Sequence, residues 1–584
     1  MTELIEGYSP PTLEKEPEDP KDKDPLTIRI ILLCDGTNNN RANIAEREKF
    51  ELYEKSDSDS YDKFSNVGHG ADSSYDNGRT NIAIMEPHVD YGEDNGNYSF
   101  VVKMYVEGQG TLAFNKDDTG GLALASGLSG IYQRARTGIT DALNLLYSKF
   151  LKGKTPEDYF IKQVDVDVFG FSRGAATARH AIHVITSDET VTVDEPSGYG
   201  EQATTVNKPF FEHLRTTYGY REMREDQVKI IFAGLYDTVV SFVGSQLMPA
   251  WIANNTRDQK AVAKAKFALH LAAADEHRQD FPLHRIKSSL DVNKGAEYYL
   301  PGVHSDIGGS YNLANDKLFD KKKNEKTEIR QVLFTGSYED CLKAEAKLYR
   351  AFEGLDIDPT PCGPKLDQFR VRGYRKVTGS EHVRASDEVK IINRGLVSDL
   401  KEDKENLIKD GWYKEHELTI ATKYWATVAR LNPINLILNQ SIHSGVLIAK
   451  RYGISSGYCN IPLKFMVEHS RKHAIKIDEK LDERIKIILA EVPEFDTVEK
   501  RLRLYMGAMG LNGSDPSDWL DVKNAKGIYP GIKRLRNRHL HNSSRWEVSE
   551  GIMAVTAPVA ELGFTPRFEK IDGVTLRRRF YYEG

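Results

Sequence analysis

Only four cysteines occur in 584 residues, Cys34, Cys341, Cys362 and Cys459, and no two stand in C-x-x-C spacing. That scarcity argues against a disulfide framework and a thiolate zinc site, and leaves buried free thiols as the expectation. No apolar run reaches the 18 or more residues that a helical bilayer span needs. Basic charge is not in excess either. Against 80 Lys and Arg stand 86 Asp and Glu, a net charge of -6, which excludes a general nucleic-acid binder. The first 25 residues have no apolar stretch of the secretory kind, and carry five prolines among charges. They predict a flexible tail on a chain made in the cytoplasm, which any export would have to move by another machine. No internal repeat is visible.

What is present is a soluble, globular composition, 40% hydrophobic and 28% charged. Leu26 to Cys34, LTIRIILLC, is a short, nearly continuous apolar run closed by Asp35-Gly36-Thr37, as expected of a buried strand ending in a tight turn. Further strands are predicted at Tyr98 to Gly108, Val164 to Gly170, Val228 to Leu235 and Glu297 to Leu300, with amphipathic helices over Ile131 to Leu151, after Ser172 and over Ala261 to Asp275. Alternating strands and helices imply an α/β fold with a mainly parallel sheet, helices on both faces and right-handed crossovers. Polar insertions are expected near 41–80 and 186–225. Past about residue 315 the pattern changes, so the reading divides the chain into a tail (1–25), a catalytic core (26–315) and a mostly helical accessory region (316–584).

Gly170-Phe171-Ser172-Arg173-Gly174 is a G-x-S-x-G between a predicted strand and a predicted helix. A serine held at the apex of such a turn presents its hydroxyl, and glycines at both ends let strand and helix pass closely. The Arg173 N–H then starts the helix, where it can stabilise an oxyanion, and the backbone of Gly36 or Thr37 supplies a second donor. The pattern lacks the lysine of a phosphate-binding loop. A phosphatase reading of LCDGT fails too, because Leu33 stands where the nucleophilic aspartate would be. A serine nucleophile requires an acid and a base, in the chain order Ser, Asp or Glu, His. Asp237, just past the strand KIIFAGLY, and His304, past the next short strand, suit those roles. An aspartate after a strand is also a common helix N-cap, and His541 in RHLHNSS rivals His304, whereas His270 and His277 fall in the predicted helix.

Six segments in order, CDGTNNN (34–40), YVEGQGT (105–111), GFSRGAATAR (170–179), AGLYDTV (233–239), HLAAADEHRQDF (270–281) and LPGVHSDIGGSY (300–311), resemble the first class of antibacterial lipase effectors of the type VI secretion system. These are α/β-hydrolases. The resemblance spans about half the chain and implies a phospholipase A, with Ser172 as nucleophile, Asp237 as acid and His304 as base. It also implies delivery on a secretion spike protein to the periplasm of a target bacterium, and a cognate immunity protein in the producer. A soluble carboxylesterase for small esters and an inactive spike-docking module are the competing readings. Lid candidates are Gly120 to Tyr132 and Leu431 to Ile448, and Lys321 to Lys323 and Arg577 to Arg579 are basic runs able to meet lipid head groups or simply face water. No metal or organic cofactor is implied, and no D-x-D-x-D-G loop supports calcium.

Overall fold

A sheet covered on both faces is built from strands rich in apolar residues, and six strands build the centre of the molecule. The computed structural model describes residues 19–53, 74–75, 77–91, 95–118, 129–194, 205–240, 259–278, 281–311, 329–331, 375–377, 385–425, 442–455, 457–509, 531–543, 568–571, 574–577, 579 and 581–582. Its central strands are β1 (Asp24–Cys34), β2 (Phe100–Val106), β3 (Tyr159–Phe171), β4 (Val228–Tyr236), β5 (Phe267–Ala273) and β6 (Gly295–Leu300). They pair in the order β2-β1-β3-β4-β5-β6, every pair parallel. This is the α/β-hydrolase-like, mainly parallel sheet that the sequence predicts. The direction of winding reverses between β1 and β3, so the loops leaving their carboxyl ends diverge and open a crevice.

Period-two alternation sorts each strand's side chains between two cores. Ile28, Ile30 and Leu32 of β1 and Val164, Val166 and Val168 of β3 face one side, where α3 (Ile131–Leu146) and α4 (Arg173–Ile185) cover them. Two earlier helices, α1 (Arg41–Tyr53) and the short α2 (Asn81–Met85), follow β1. Ile31, Leu33, Phe169, Phe232 and Leu269 face the opposite side. There they meet α5 (His304–Gly308), which adjoins β6, and helices from far along the chain, namely α7 (Asn460–Lys472), α8 (Glu479–Ala490) and α9 (Pro493–Met509). A buried ion pair anchors α7. Arg29 of β1 bonds Asp167 of β3 at 2.6 Å and donates to the carbonyls of His473 and Ala474 at the helix's end. Burial disfavours the guanidinium charge, but Asp167 outweighs it and raises the Arg29 pKa.

One expectation needs correction. Ala261 to Asp275 is not a helix: a single turn at Ala261–Lys264 leads into β5, because an alanine-rich segment between two strands gains more from ladder pairing than its helix propensity offers. Among its described residues the accessory region holds strands as well as helices. Beside α6 (Val397–Lys409), α7 to α9 and α10 (Ile532–His539) it carries the antiparallel strands β7 (Ala385–Leu396), β8 (Leu418–Trp425) and β9 (Ile442–Ser455), in the order β7-β9-β8. The polar insertions carry some regular structure, α1 in one and in the other a hairpin of Thr190–Asp194 with Thr205–Pro209. Residues 1–18, the first lid candidate over 120–128, the second over 431–441 and Lys321 to Lys323 lie outside the described residues. Cys34 and Cys459 are buried free thiols. Among the described residues no helix is long and apolar enough to cross a membrane.

Candidate active site

The crevice between β1 and β3 holds the G-x-S-x-G turn. Ser172 sits between β3 and α4 with φ 59° and ψ -129°, a conformation that costs an ordinary side chain on the order of 1–3 kcal/mol and persists only where packing imposes it. The packing is visible at the two glycines. A Cβ on Gly170 would lie 2.4 Å from the Gly174 carbonyl oxygen, and one on Gly174 would lie 2.2 Å from that of Asp35, so strand, helix and the end of β1 meet backbone to backbone. Ser172 also grips the next strand. Its N–H donates to the Tyr236 carbonyl at 3.1 Å and its carbonyl accepts from Val239 N–H at 3.3 Å, so it straddles Asp237. Asp237 is itself left-handed, with φ 42°.

His304 opens α5, and its Nδ1–H donates to Asp237 Oδ2 at 2.5 Å. Its ring lies against Phe171 at 4.6 Å between centroids and meets Phe281 edge-on at 5.1 Å. The His304 N–H donates to Glu276. Burial lowers the His304 pKa, the hydrogen bond and charge of Asp237 pull it back up, and Arg278 pushes it down again; the balance falls below the ordinary imidazole value. Burial alone would raise the Asp237 pKa, but Arg579, then His304, hold its carboxyl well below the usual carboxylate range. The imidazole is therefore neutral and the carboxylate ionised at neutral pH.

The turn that carries Asp237 is fixed from β5. Thr238 N–H donates to His270 Nε2 at 3.1 Å, which makes Nδ1 the protonated nitrogen, and that nitrogen donates to Glu297 at 3.0 Å. Glu297 also takes the Arg285 guanidinium, the Tyr299 hydroxyl and the Ile286 N–H; burial would raise its pKa, but His270 and then Arg285 bring it down to about 2. His270 is thus a buried orienting group on a strand. His277 lies in the loop after β5, with Nδ1 against the Asp275 carbonyl. His541 comes close without joining Asp237: it bonds Asp306, two residues past His304, at 2.8 Å.

The three residues named as oxyanion donors sit together at the ends of β1 and β3. The Gly36 N–H is already engaged by Asp35 Oδ1 at 2.7 Å. The Thr37 N–H makes no hydrogen bond among the described residues, and its hydroxyl accepts from Arg173 Nε at 2.5 Å. Burial lowers the Arg173 pKa to about 10. Asp35 holds the loop through Thr80 and Tyr105 as well, whose hydroxyls donate to it at 2.6 and 2.5 Å. Its own pKa is raised by burial, against those three donors and Arg41, to about 6.

Sequence reasoning missed what the end of the chain brings. Arg579 closes on Asp237 with both guanidinium nitrogens, Nη1 to Oδ1 at 2.6 Å and Nη2 to Oδ2 at 2.8 Å. Arg536 reaches Asp275 and Ser543 reaches Glu276. Arg577 to Arg579 is legible only as a basic run; nothing in its spacing points to a carboxylate 342 positions away. No cluster of residues fit to hold a metal occurs among the described residues.

The comparison with curated proteins found no match. Among solved structures the chain is similar to the Tle1 effector bound to the VgrG spike from the type VI secretion system, at 16% identity over 100% of this chain and 98% of that one, with a TM-score of 0.49. It is also similar to an uncharacterized protein from Pseudomonas aeruginosa, at 19% identity over 50% of this chain and 43% of that one, with a TM-score of 0.27. The family model for the catalytic domain of Tle1-like phospholipase effectors of type VI secretion matches residues 28–329, more than half of the chain. The chain belongs to this family of type VI secretion phospholipase effectors.

Proposed function

We propose that the chain is a serine hydrolase of the phospholipase A kind, cleaving an acyl ester of glycerophospholipids with Ser172 as nucleophile, His304 as base and Asp237 as the acid that orients it. The observation that carries this reading is the Asp237–His304 hydrogen bond beside a left-handed Ser172 whose backbone clasps the Asp237 turn. Asp237 fixes the proton on Nδ1, so Nε2 is the basic nitrogen. It takes the Ser172 proton as Oγ attacks the acyl carbonyl, and the N–H groups of Thr37 and Arg173 receive the oxyanion; Gly36 N–H serves only if it leaves Asp35. The imidazolium returns the proton to the departing lysophospholipid alkoxide. Water, deprotonated by the same nitrogen, then releases the fatty acid.

Family membership supports loading onto a secretion spike, action in the periplasm of a target bacterium, and an immunity protein in the producer. The test is fatty-acid release from mixed phospholipid vesicles by wild type and by Ser172→Ala, with the lysophospholipids resolved by mass spectrometry. Release in the wild type and none in the variant is expected, and the surviving acyl position distinguishes A1 from A2 activity. Full activity in Ser172→Ala would sink the serine mechanism. Turnover of short soluble esters, with none of vesicles, would leave a small-ester carboxylesterase in its place.

A further inference from the structure

We propose that Arg579, near the end of the sequence, is a positioning residue of the active site, saturating the Asp237 carboxylate and setting the proton affinity of His304 through it. The inference rests on the triad reading above. An ionised carboxylate offers about four lone-pair sites, and at Asp237 all four are taken. Oδ1 accepts from Arg579 Nη1 and from Ala273 N–H at 2.8 Å, and Oδ2 accepts from Arg579 Nη2 and from His304 Nδ1–H. Two parallel guanidinium bonds hold a carboxylate in its plane, as no single donor can.

The same side chain reaches the other support of the base. Arg579 Nε donates to the Phe281 carbonyl at 2.6 Å, and the Phe281 ring is the one packed edge-on against His304. Arg579 is held in turn by the tail that follows it. Tyr581 and Tyr582 pair in parallel with Leu283 and His284, and Arg285 N–H donates to the Tyr582 carbonyl at 2.9 Å. The guanidinium is nearly buried and Asp237 wholly so, which makes the pair strong and its loss costly.

The charged and titratable groups around His304 fix the sign of the effect. Asp237 faces it from the end of β4, Glu276 and Arg278 from the loop after β5, Asp306 from its own helix, His541 from behind Asp306, and Arg579 from the tail. Asp237 and Glu276 favour the imidazolium; Arg278 opposes it directly, and Arg579 opposes it by neutralising Asp237. Removing the Arg579 charge leaves Asp237 unopposed, so His304 gains a proton at higher pH.

The experiment is the pH profile of kcat/KM for p-nitrophenyl butyrate, a monomeric ester, measured in a pH-stat on the full chain as wild type, Arg579→Met, Arg579→Lys and Ser172→Ala, with thermal melts of each. In Arg579→Met the acidic limb should move up by about half a pH unit or more, and the plateau should fall on the order of tenfold, mostly in kcat, because the carboxylate is no longer fixed. Arg579→Lys keeps the charge and loses the fork, so its limb should stay near wild type while the plateau falls. A folded Arg579→Met with the wild-type limb and plateau overturns the proposal, and so does one with a higher plateau, which would make the tail a restraint. Should Arg579→Met not fold, Arg579→Lys decides: a lowered plateau supports the role, a wild-type plateau overturns it. An active Ser172→Ala would remove the triad reading itself, whereas an inactive one beside an unchanged Arg579→Met would remove only this inference.

Discussion

Asp35 is the residue whose sequence context, CDGTN, conceals most of its work. It accepts from Gly36 N–H and from the hydroxyls of Thr80 and Tyr105, and so stiffens the loop that ends at Thr37. With a pKa raised to about 6 it takes up a proton just below neutrality, and a protonated carboxyl cannot keep all three donors. His304, lowered from the ordinary imidazole value, gains its proton below about pH 6.5. The base is the neutral imidazole, so activity holds as pH falls to that region and is lost beneath it. Two groups then shape the acidic limb of wild-type kcat/KM, which should be steeper than a single ionisation. In Asp35→Asn the limb should become that of one group, with a lower plateau because the loop is less firmly held. A single-ionisation limb in the wild type would show that Asp35 does not act on the site. At the acid, Asp237→Asn should reduce kcat by about 10⁴-fold, by the logic of a base left in the wrong tautomer, and should also lower the melting temperature, because it leaves the buried Arg579 guanidinium without its carboxylate; fluorophosphonate labelling of Ser172 should slow in parallel.

Among elements, the elbow is the one most tightly specified by its own sequence. Gly174 has no room for a methyl group: its Cβ would lie within 2.5 Å of the carbonyl oxygens of Asp35 and Cys34 at the end of β1. Gly174→Ala should therefore cost on the order of 3 kcal/mol or more, read as a lowered urea midpoint, and lose activity even where it folds. A variant as stable and active as wild type would mean that the strand and helix can separate freely. This close approach, the β1 and β3 strands and α3 and α4 were all legible, because each rests on local periodicity or on a glycine demanded by a turn. The placement of Asp237 and His304 past strand ends was legible for the same reason. β5 was not. FALHLAA has the alanine content of a helix, and its strand identity comes from β4 and β6 on either side, which no window of that length contains. The strands β7 to β9 escaped similarly, since their pairings join segments tens of residues apart. Arg579, Arg536 and His541 are the extreme case: each meets its carboxylate across more than 200 positions, where spacing says nothing.

At the scale of the whole molecule, the chain's matched half does not contain its own core. The family model ends at residue 329, yet one face of the sheet is closed by helices that begin at residue 460. Ile31, Phe169, Phe232 and Leu269 look toward α7, where Leu463, Phe465 and Met466 cover them, and a Cβ on Gly234 would stand 2.7 Å from the Met466 sulfur. Arg29 ties the end of α7 to β1 and β3, and Arg451 of β9 gathers the carbonyls of Trp412, Arg536, Asn537 and Leu540, so α10 and the antiparallel sheet hold together as well. Each large apolar side chain returned to water forfeits about 1.5–3 kcal/mol, and a domain has only about 5–15 kcal/mol in hand. Uncovering this face removes several such side chains at once, together with the partners of a buried arginine. A fragment ending at residue 315 should therefore fail to fold alone: it should be insoluble, or bind a hydrophobic dye and melt without a cooperative transition in circular dichroism. The active site should suffer with it, because Arg536, His541, Ser543 and Arg579 leave in the same cut. A soluble, monomeric fragment with a sharp melt and a fluorophosphonate-reactive Ser172 would show instead that the remaining half only adds to a site already complete.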